Sequence, residues 1–319
     1  MNMPLARTLQ HALLASLIPF ASSTAVVACP VADPELVRID ANVWIRPAKP
    51  GDPAGWSEPV VVWVGTRELW IADPGPHRCA GLALRKALLR LWPGHTHQLI
   101  NTHSHPRNVL ANSAWPASTP IYALASVRQQ MRQRCPVCLA NLRRELGEDW
   151  MQGTTVRLPN RVLRPMQWLT LGSAQWQVRP HANAHTEADT SLHSPALAMV
   201  YAPSLLSWHR VPDLARAQPA AWLSALEELK HLQPNALWLG HTNAEVANAD
   251  FTATHTYLQA LWQTLAKAYE EGRSEHEFHT SPALLPEPWR DEASRRTHLL
   301  NVQRVWHLQE QQDLRSDPR

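Results

Sequence analysis

The residues best suited to chemistry lie in three short polar stretches, each following an apolar run. Residues 99–108 read LINTHSHPRN, with His103 and His105 two positions apart. On an extended segment that spacing turns both imidazoles to the same side, so both can reach one ion. Neutral imidazole is the commonest metal ligand among side chains. His-x-His alone is a weak signal, because 17 histidines in 319 residues form such pairs by chance. It gains weight from His185 in residues 181–189, HANAHTEAD, and from His241 in the sequence GHT. Loops at strand ends are common places for catalytic groups. Three imidazoles and one water are the usual catalytic zinc arrangement, and such an ion brings its water to a pKa of about 7 and polarises a carbonyl.

The elements that must position these groups can be read in chain order. Residues 35–46 predict a strand, ended by the Pro/Gly-rich stretch RPAKPGDPAGWSEP. Residues 60–64 and 68–71 read as a hairpin around Gly65-Thr66, closed by a turn at Ala72-Asp73-Pro74-Gly75-Pro76. A helix over 82–92 stops at Pro93-Gly94, and a strand over 98–101 delivers the HSH loop. A helix should start within 108–117, followed by a short strand at 121–123 and a long helix over 126–146. Residues 154–158, 161–162, 168–171 and 176–180 are strand-like, the last ending at His181. A buried strand at 198–201 precedes an amphipathic helix over 219–232, apolar at Trp222, Leu223, Leu226 and Leu229. Residues 236–239 form a last strand before Gly240-His241-Thr242, and 253–272 a long helix. The alternation of strands and helices argues for α/β layering rather than an all-β fold.

Composition narrows the partners. The chain is 45% hydrophobic, enough for a sizeable core, and its +3 net charge is spread over scattered basic residues. That excludes a dedicated nucleic-acid binder and leaves a small molecule as the expected partner. Fifteen tryptophans read as core filling. Residues 1–28 have the single charge Arg7, an apolar stretch and small residues up to Ala28, the pattern of an export signal. Val26-Val27-Ala28-Cys29 fits either plain cleavage after Ala28 or a lipoprotein box with Cys29 lipidated, which would be the only membrane attachment. Export, to the periplasm or the envelope, would put the four cysteines in an oxidising compartment. Cys135 and Cys138, on a helical segment, favour a local disulfide over a zinc or redox site. Cys29 with Cys79 is the other pairing if Cys29 carries no lipid. The mature domain would run over 29–307, with a frayed polar tail over 308–319.

Taken together, the Val60 strand, the Asp73-Pro74-Gly75 turn, NTHSHPRN, HTEAD and LGHT resemble the metallo-β-lactamase superfamily over nearly the whole mature chain. The resemblance implies an α+β four-layer αβ/βα sandwich, two mixed β-sheets flanked by helices, with zinc in a groove at its edge. It implies His103, His105 and His185 as the first metal site and His241 as a ligand of the second. The signal segment, the CPVCL stretch and the spacing from HTEAD to WLSALEEL are most similar to exported zinc metallohydrolase-type proteins associated with quinoprotein systems.

The family's first loop reads His-x-His-x-Asp-His, whereas this chain has Arg107 and Asn108 at the last two positions. Ser204, in Tyr201-Ala202-Pro203-Ser204, stands where the bridging aspartate is expected. A guanidinium about 5 Å from a second ion would repel it by roughly 7 kcal/mol at an effective dielectric of about 20. At most one tightly bound zinc is therefore expected, and a second site is not. Arg107, Asn108 and Ser204 become candidate substrate-binding residues, Arg107 either as a carboxylate clamp or in a plain surface salt bridge. Glu187 and Asp189 are the nearest carboxylates to replace the lost aspartate in catalysis, Asp189 alternatively pinning its own loop. Two readings stay open. One is an exported one-zinc hydrolase attacking a small ester, amide or lactam carbonyl with zinc-bound hydroxide. The other is a non-catalytic descendant used in binding or assembly.

Overall fold

The computed structural model describes residues 29, 32–47, 58–207, 210–232, 237–239, 244–281, 284–285 and 289–316, without side chains at 237–239 and 244–250. The expected signal segment, the loop from Ala48 to Ser57 and His241 lie outside the described residues.

One sheet contains seven strands in chain order: β1 (Val37–Asp40), β2 (Val43–Arg46), β3 (Val60–Val64), β4 (Glu68–Ala72), β5 (Thr96–Ile100), β6 (Ile121–Leu124) and β7 (Arg161–Leu163). Helix α1 (Arg78–Leu91) crosses from β4 to its parallel neighbour β5. After β5 come α2 (Pro106–Val109) and a 3-10 turn (Leu110–Ala114), and after β6 come α3 (Ala125–Leu146) and α4 (Glu148–Met151). The second sheet has the order β12-β11-β10-β9-β8, from β8 (Trp168–Leu171), β9 (Ala174–Ala182), β10 (Ala188–Ser194), β11 (Met199–Tyr201) and β12 (Leu237–Leu239). Helices α5 (Pro219–Leu232), α6 (Ala244–Glu270) and α7 (Glu292–Ser316) complete the chain.

The layering follows from side-chain alternation. In β3, Val61 and Trp63 face the core shared by both sheets, while Val60 and Val62 pack with α1 on the outer face. An unbroken apolar strand is what burial on both faces requires. Trp63 meets Trp176 and Tyr201 edge-on across the sheets, with ring centroids 5.2 and 5.9 Å apart. A third cluster joins α5, α6 and α7 around Trp222, Tyr257 and Leu261. The expected sandwich of two mixed sheets flanked by helices is present.

Several boundaries differ from the sequence reading. Residues 35–46 form two strands, because the chain turns at Ala41-Asn42. Residues 154–158 form no strand; Arg157 instead bonds the carbonyls of Asn112, Trp115, Ala117 and Thr119. The expected local disulfide is absent: Cys135 and Cys138 are free thiols, and Cys29 pairs with Cys79. Cys135 is buried and turned to the Ser104 carbonyl at 3.8 Å, whereas Cys138 reaches the groove described below. A lipid thioether at Cys29 would need the sulfur that the disulfide uses. The tail expected to fray after His307 continues α7 to Ser316, with Leu308 buried. Among the described residues no helix is long and apolar enough to cross a membrane.

Candidate metal centre and groove

Strand register brings the polar loops to one rim. Parallel pairing of β4 with β5 sets Ala72 beside Ile100, so Asp73 and Thr102 leave the sheet together. In the second sheet β9 and β10 pair antiparallel, Asp189 opposite His181, which makes the His185 loop the tip of a hairpin. Tyr201 at the end of β11 pairs with Leu192 of β10, which directs Ser204 to the same rim.

There His103, His105 and His185 converge, with candidate ligand nitrogens all within 4.8 Å of one another. Their ring centroids lie 5.0, 5.5 and 4.5 Å apart for the pairs 103–105, 103–185 and 105–185. His103 and His185 are buried and His105, which caps α2, is half-buried. Burial first, then the charges of His185 and Arg216, push His103 down to about 3, with Asp189 opposing. Burial, then His185 and His103, hold His105 well below its ordinary value. His103 and His105 are therefore neutral and can donate lone pairs at moderate pH.

The groups behind the histidines select the tautomers. The Asp73 carboxylate accepts the Thr102 amide N–H at 2.9 Å, the Thr102 hydroxyl at 2.5 Å and the Tyr201 hydroxyl at 3.0 Å. A hydroxyl has one proton to give, so with it on Asp73 the Thr102 oxygen accepts from His103 Nδ1 at 2.9 Å. Nε2 of His103 is then the nitrogen left for a ligand, and the Ser204 hydroxyl sits 3.3 Å from it. Burial pushes Asp73 up to about 7 against these hydrogen bonds. On the other side His185 Nδ1 lies 3.6 Å from Asp189 Oδ1, and the His185 ring packs edge-on against Trp222 at 5.2 Å.

Three convergent imidazole nitrogens, with the second ring nitrogen of His103 held by Thr102, fit zinc. A zinc ion bound there would act as a Lewis acid on a carbonyl and supply a hydroxide nucleophile near neutral pH.

His105 and His185 open onto a cavity of about 760 Å³, also lined by Arg107, Asn108, Ser204 and Cys138. Asn108 is buried, and neither its amide nitrogen nor its oxygen meets a protein partner. Arg107 reaches the groove but is ion-paired with Glu145 of α3, and Arg210 with Glu58 in the same way. Ser204 holds a left-handed backbone at φ 60°, a conformation costly without glycine and tolerated where the surroundings enforce it.

The two carboxylates expected to act in catalysis are placed differently. Neither Glu187 nor Asp189 lines the groove. Glu187 is clamped by Arg134 and Arg216, which hold it below the usual range although burial would raise it. Asp189 is buried and accepts the Thr186 amide and hydroxyl, each at 2.8 Å. Thr102, Tyr201 and Arg216 were not singled out from sequence. Each is a single polar or aromatic residue whose role comes only from the partner that folding supplies.

No protein-family model matches the chain, and no curated protein matches its sequence. Among solved structures it is similar to a metallo-beta-lactamase from Pontibacter korlensis, at 14% identity and TM-score 0.55, over 71% of this chain and 99% of that one. It is similar to a beta-lactamase domain protein from Burkholderia ambifaria, at 16% identity and TM-score 0.58, over 91% and 90%. A double mutant of the sec-alkyl sulfatase PisA1 aligns at 12% identity and TM-score 0.65, over 86% of this chain and 50% of that one. The chain thus has the metallo-β-lactamase fold.

Proposed function

We propose that the chain is an exported, one-zinc hydrolase acting on a small carbonyl substrate in the groove. The observation that carries this reading is the convergence of three imidazoles, with ligand nitrogens within 4.8 Å, on the wall of a cavity of about 760 Å³. The names of the similar structures, β-lactamase and sulfatase, support hydrolysis as the reaction type. The Cys29–Cys79 disulfide supports an oxidising compartment.

The chain's own residues then narrow the substrate. His103, His105 and His185 hold the metal; Asp73 orients His103 through Thr102, and Asp189 lies 3.6 Å from His185 Nδ1. The described groove residues present two arginines, each already paired, against four carboxylates, Glu58, Glu145, Asp213 and Asp291. A bound zinc of charge +2 would offset the two carboxylates left without an arginine, so the groove sets no preference for substrate charge. Asn108, with a free donor and a free acceptor, can bind a substrate amide or ester carbonyl, and Ser204 supplies a hydroxyl beside the metal.

With Glu187 bound to arginines and Asp189 to Thr186, no carboxylate from the HTEAD loop stands ready to protonate a leaving group. A missing general acid costs about 10² to 10⁴ in rate, so esters with good leaving groups should react faster than amides. The same observation favours the second reading, a non-catalytic protein used in binding or assembly. The separating experiment is a screen of zinc-loaded protein on aryl esters, thioesters, lactones and β-lactams. Ester hydrolysis abolished by His105→Ala supports the enzyme. Stoichiometric zinc without turnover of any class leaves the binding reading.

A further inference from the structure

Outside the groove, residues 273–280 read RSEHEFHT, between α6 and α7. Glu275–Phe278 forms a 3-10 turn, in which side chains three apart lie one above the other. His276 and His279 have that spacing. The turn is held by a capping box, in which the Ser274 side chain caps one end and the Glu277 carboxylate accepts the Ser274 amide at 3.1 Å. Phe278 anchors the turn in the core beneath, and its carbonyl meets His298 Nε2 of α7 at 3.1 Å. The backbone that carries both imidazoles is therefore fixed from two directions.

The two Nδ1 atoms lie 3.4 Å apart, on rings inclined at 87° with centroids 4.8 Å apart. Two nitrogens each about 2.0–2.1 Å from a tetrahedral zinc are separated by about 3.3–3.4 Å. Glu275 completes a set of three donors, one atom from each residue, within 4.8 Å of one another. A neutral histidine pair without metal can share only one proton between the facing nitrogens, a long contact at 3.4 Å.

We propose that Glu275, His276 and His279 form a second, separate site for a first-row divalent ion of the zinc type. Two imidazoles and a carboxylate, with His276 exposed, leave one coordination position for water. The set prefers zinc or copper to calcium or magnesium, which favour all-oxygen donors. Binding there would tie the α6–α7 connection to its capped conformation without touching the groove.

Equilibrium dialysis of the full chain against zinc, with metal counted per chain, tests this. His276→Gln/His279→Gln should bind one zinc fewer than the unmodified protein and keep the zinc that His105→Ala removes. Should the double variant fold poorly, His276→Ala alone changes an exposed ring, and it should lose the same equivalent with an unchanged circular dichroism spectrum. Equal zinc uptake by unmodified protein and His276→Ala overturns the proposal, and so does loss of both equivalents in His105→Ala. Thermal melting with and without zinc gives a second readout: the zinc-induced rise that persists in His105→Ala should vanish in the histidine pair variant.

Discussion

Thr102 shows how much a single hydroxyl decides at this rim. It gives its proton to Asp73 and takes one from His103, so one side chain both satisfies a buried carboxylate and sets an imidazole tautomer. Thr102→Val keeps the shape and removes both bonds. Zinc affinity should fall by about 10- to 100-fold, as for other groups that orient metal ligands. Stability should fall by about 1–3 kcal/mol, because the buried Asp73 oxygen loses a donor. Zinc competition titration and urea unfolding measure the two effects, and an unchanged zinc affinity would remove Thr102 from the account. His103, His105 and His185 were legible from residue type and position after apolar runs. The carboxylate roles were not, because the sequence HTEAD shows Glu187 and Asp189 but not the arginines and threonine that occupy them.

At the scale of elements, the loop that carries His103 and His105 is positioned by what packs behind it. A Cβ on Gly81 of α1 would lie 2.6 Å from Ala114 Cβ and 2.9 Å from the Ala111 carbonyl, both on the 3-10 turn that follows the loop. Gly81→Ala must push that turn away from α1. It should cost about 1–3 kcal/mol and weaken zinc binding together with stability, seen as a lower melting temperature and a lower zinc affinity in one variant. A melt and zinc titration matching the unmodified protein would show that the contact can relax freely. Strands β3 and β4 were legible because burial on both faces leaves apolar runs. Strand β10 was missed, since Thr190, Ser191, His193 and Ser194 are buried polar residues that give no apolar alternation. Helix α7 was missed for a related reason: it is dominated by Arg, Gln and Glu, and its buried face is only Val302, Val305 and a few neighbours.

For the whole molecule, the buried histidines make stability depend on pH with a definite sign. Below about pH 6.5 the unfolded chain protonates His103 and His105 while the folded protein holds both neutral, His103 down to about 3, so folding loses stability as pH falls. Asp73, pushed up to about 7, works the other way: its folded form holds a proton that the unfolded chain releases above about pH 4. Comparison of metal-free protein with His103→Gln/His105→Gln cancels Asp73. The variant's melting temperature should fall less between about pH 6.5 and 4.5, and parallel curves would contradict the placement of the two rings. The Cys29–Cys79 bridge closes a segment with separation 50, which by chain entropy contributes about 4 kcal/mol. Cys79→Ser should lower the melting temperature without removing zinc from the triad. Its pairing was among the alternatives legible from sequence. The choice between it and a Cys135–Cys138 bridge was not, because it depends on which thiols folding buries apart.

The most direct measurement of the central claim is the zinc retained per chain after dialysis in His276→Gln/His279→Gln, with and without His105→Ala. The convergence of His103, His105 and His185 on one ion predicts one zinc in the first protein and none in the second. Absence of zinc from the first, or retention in the second, would contradict it.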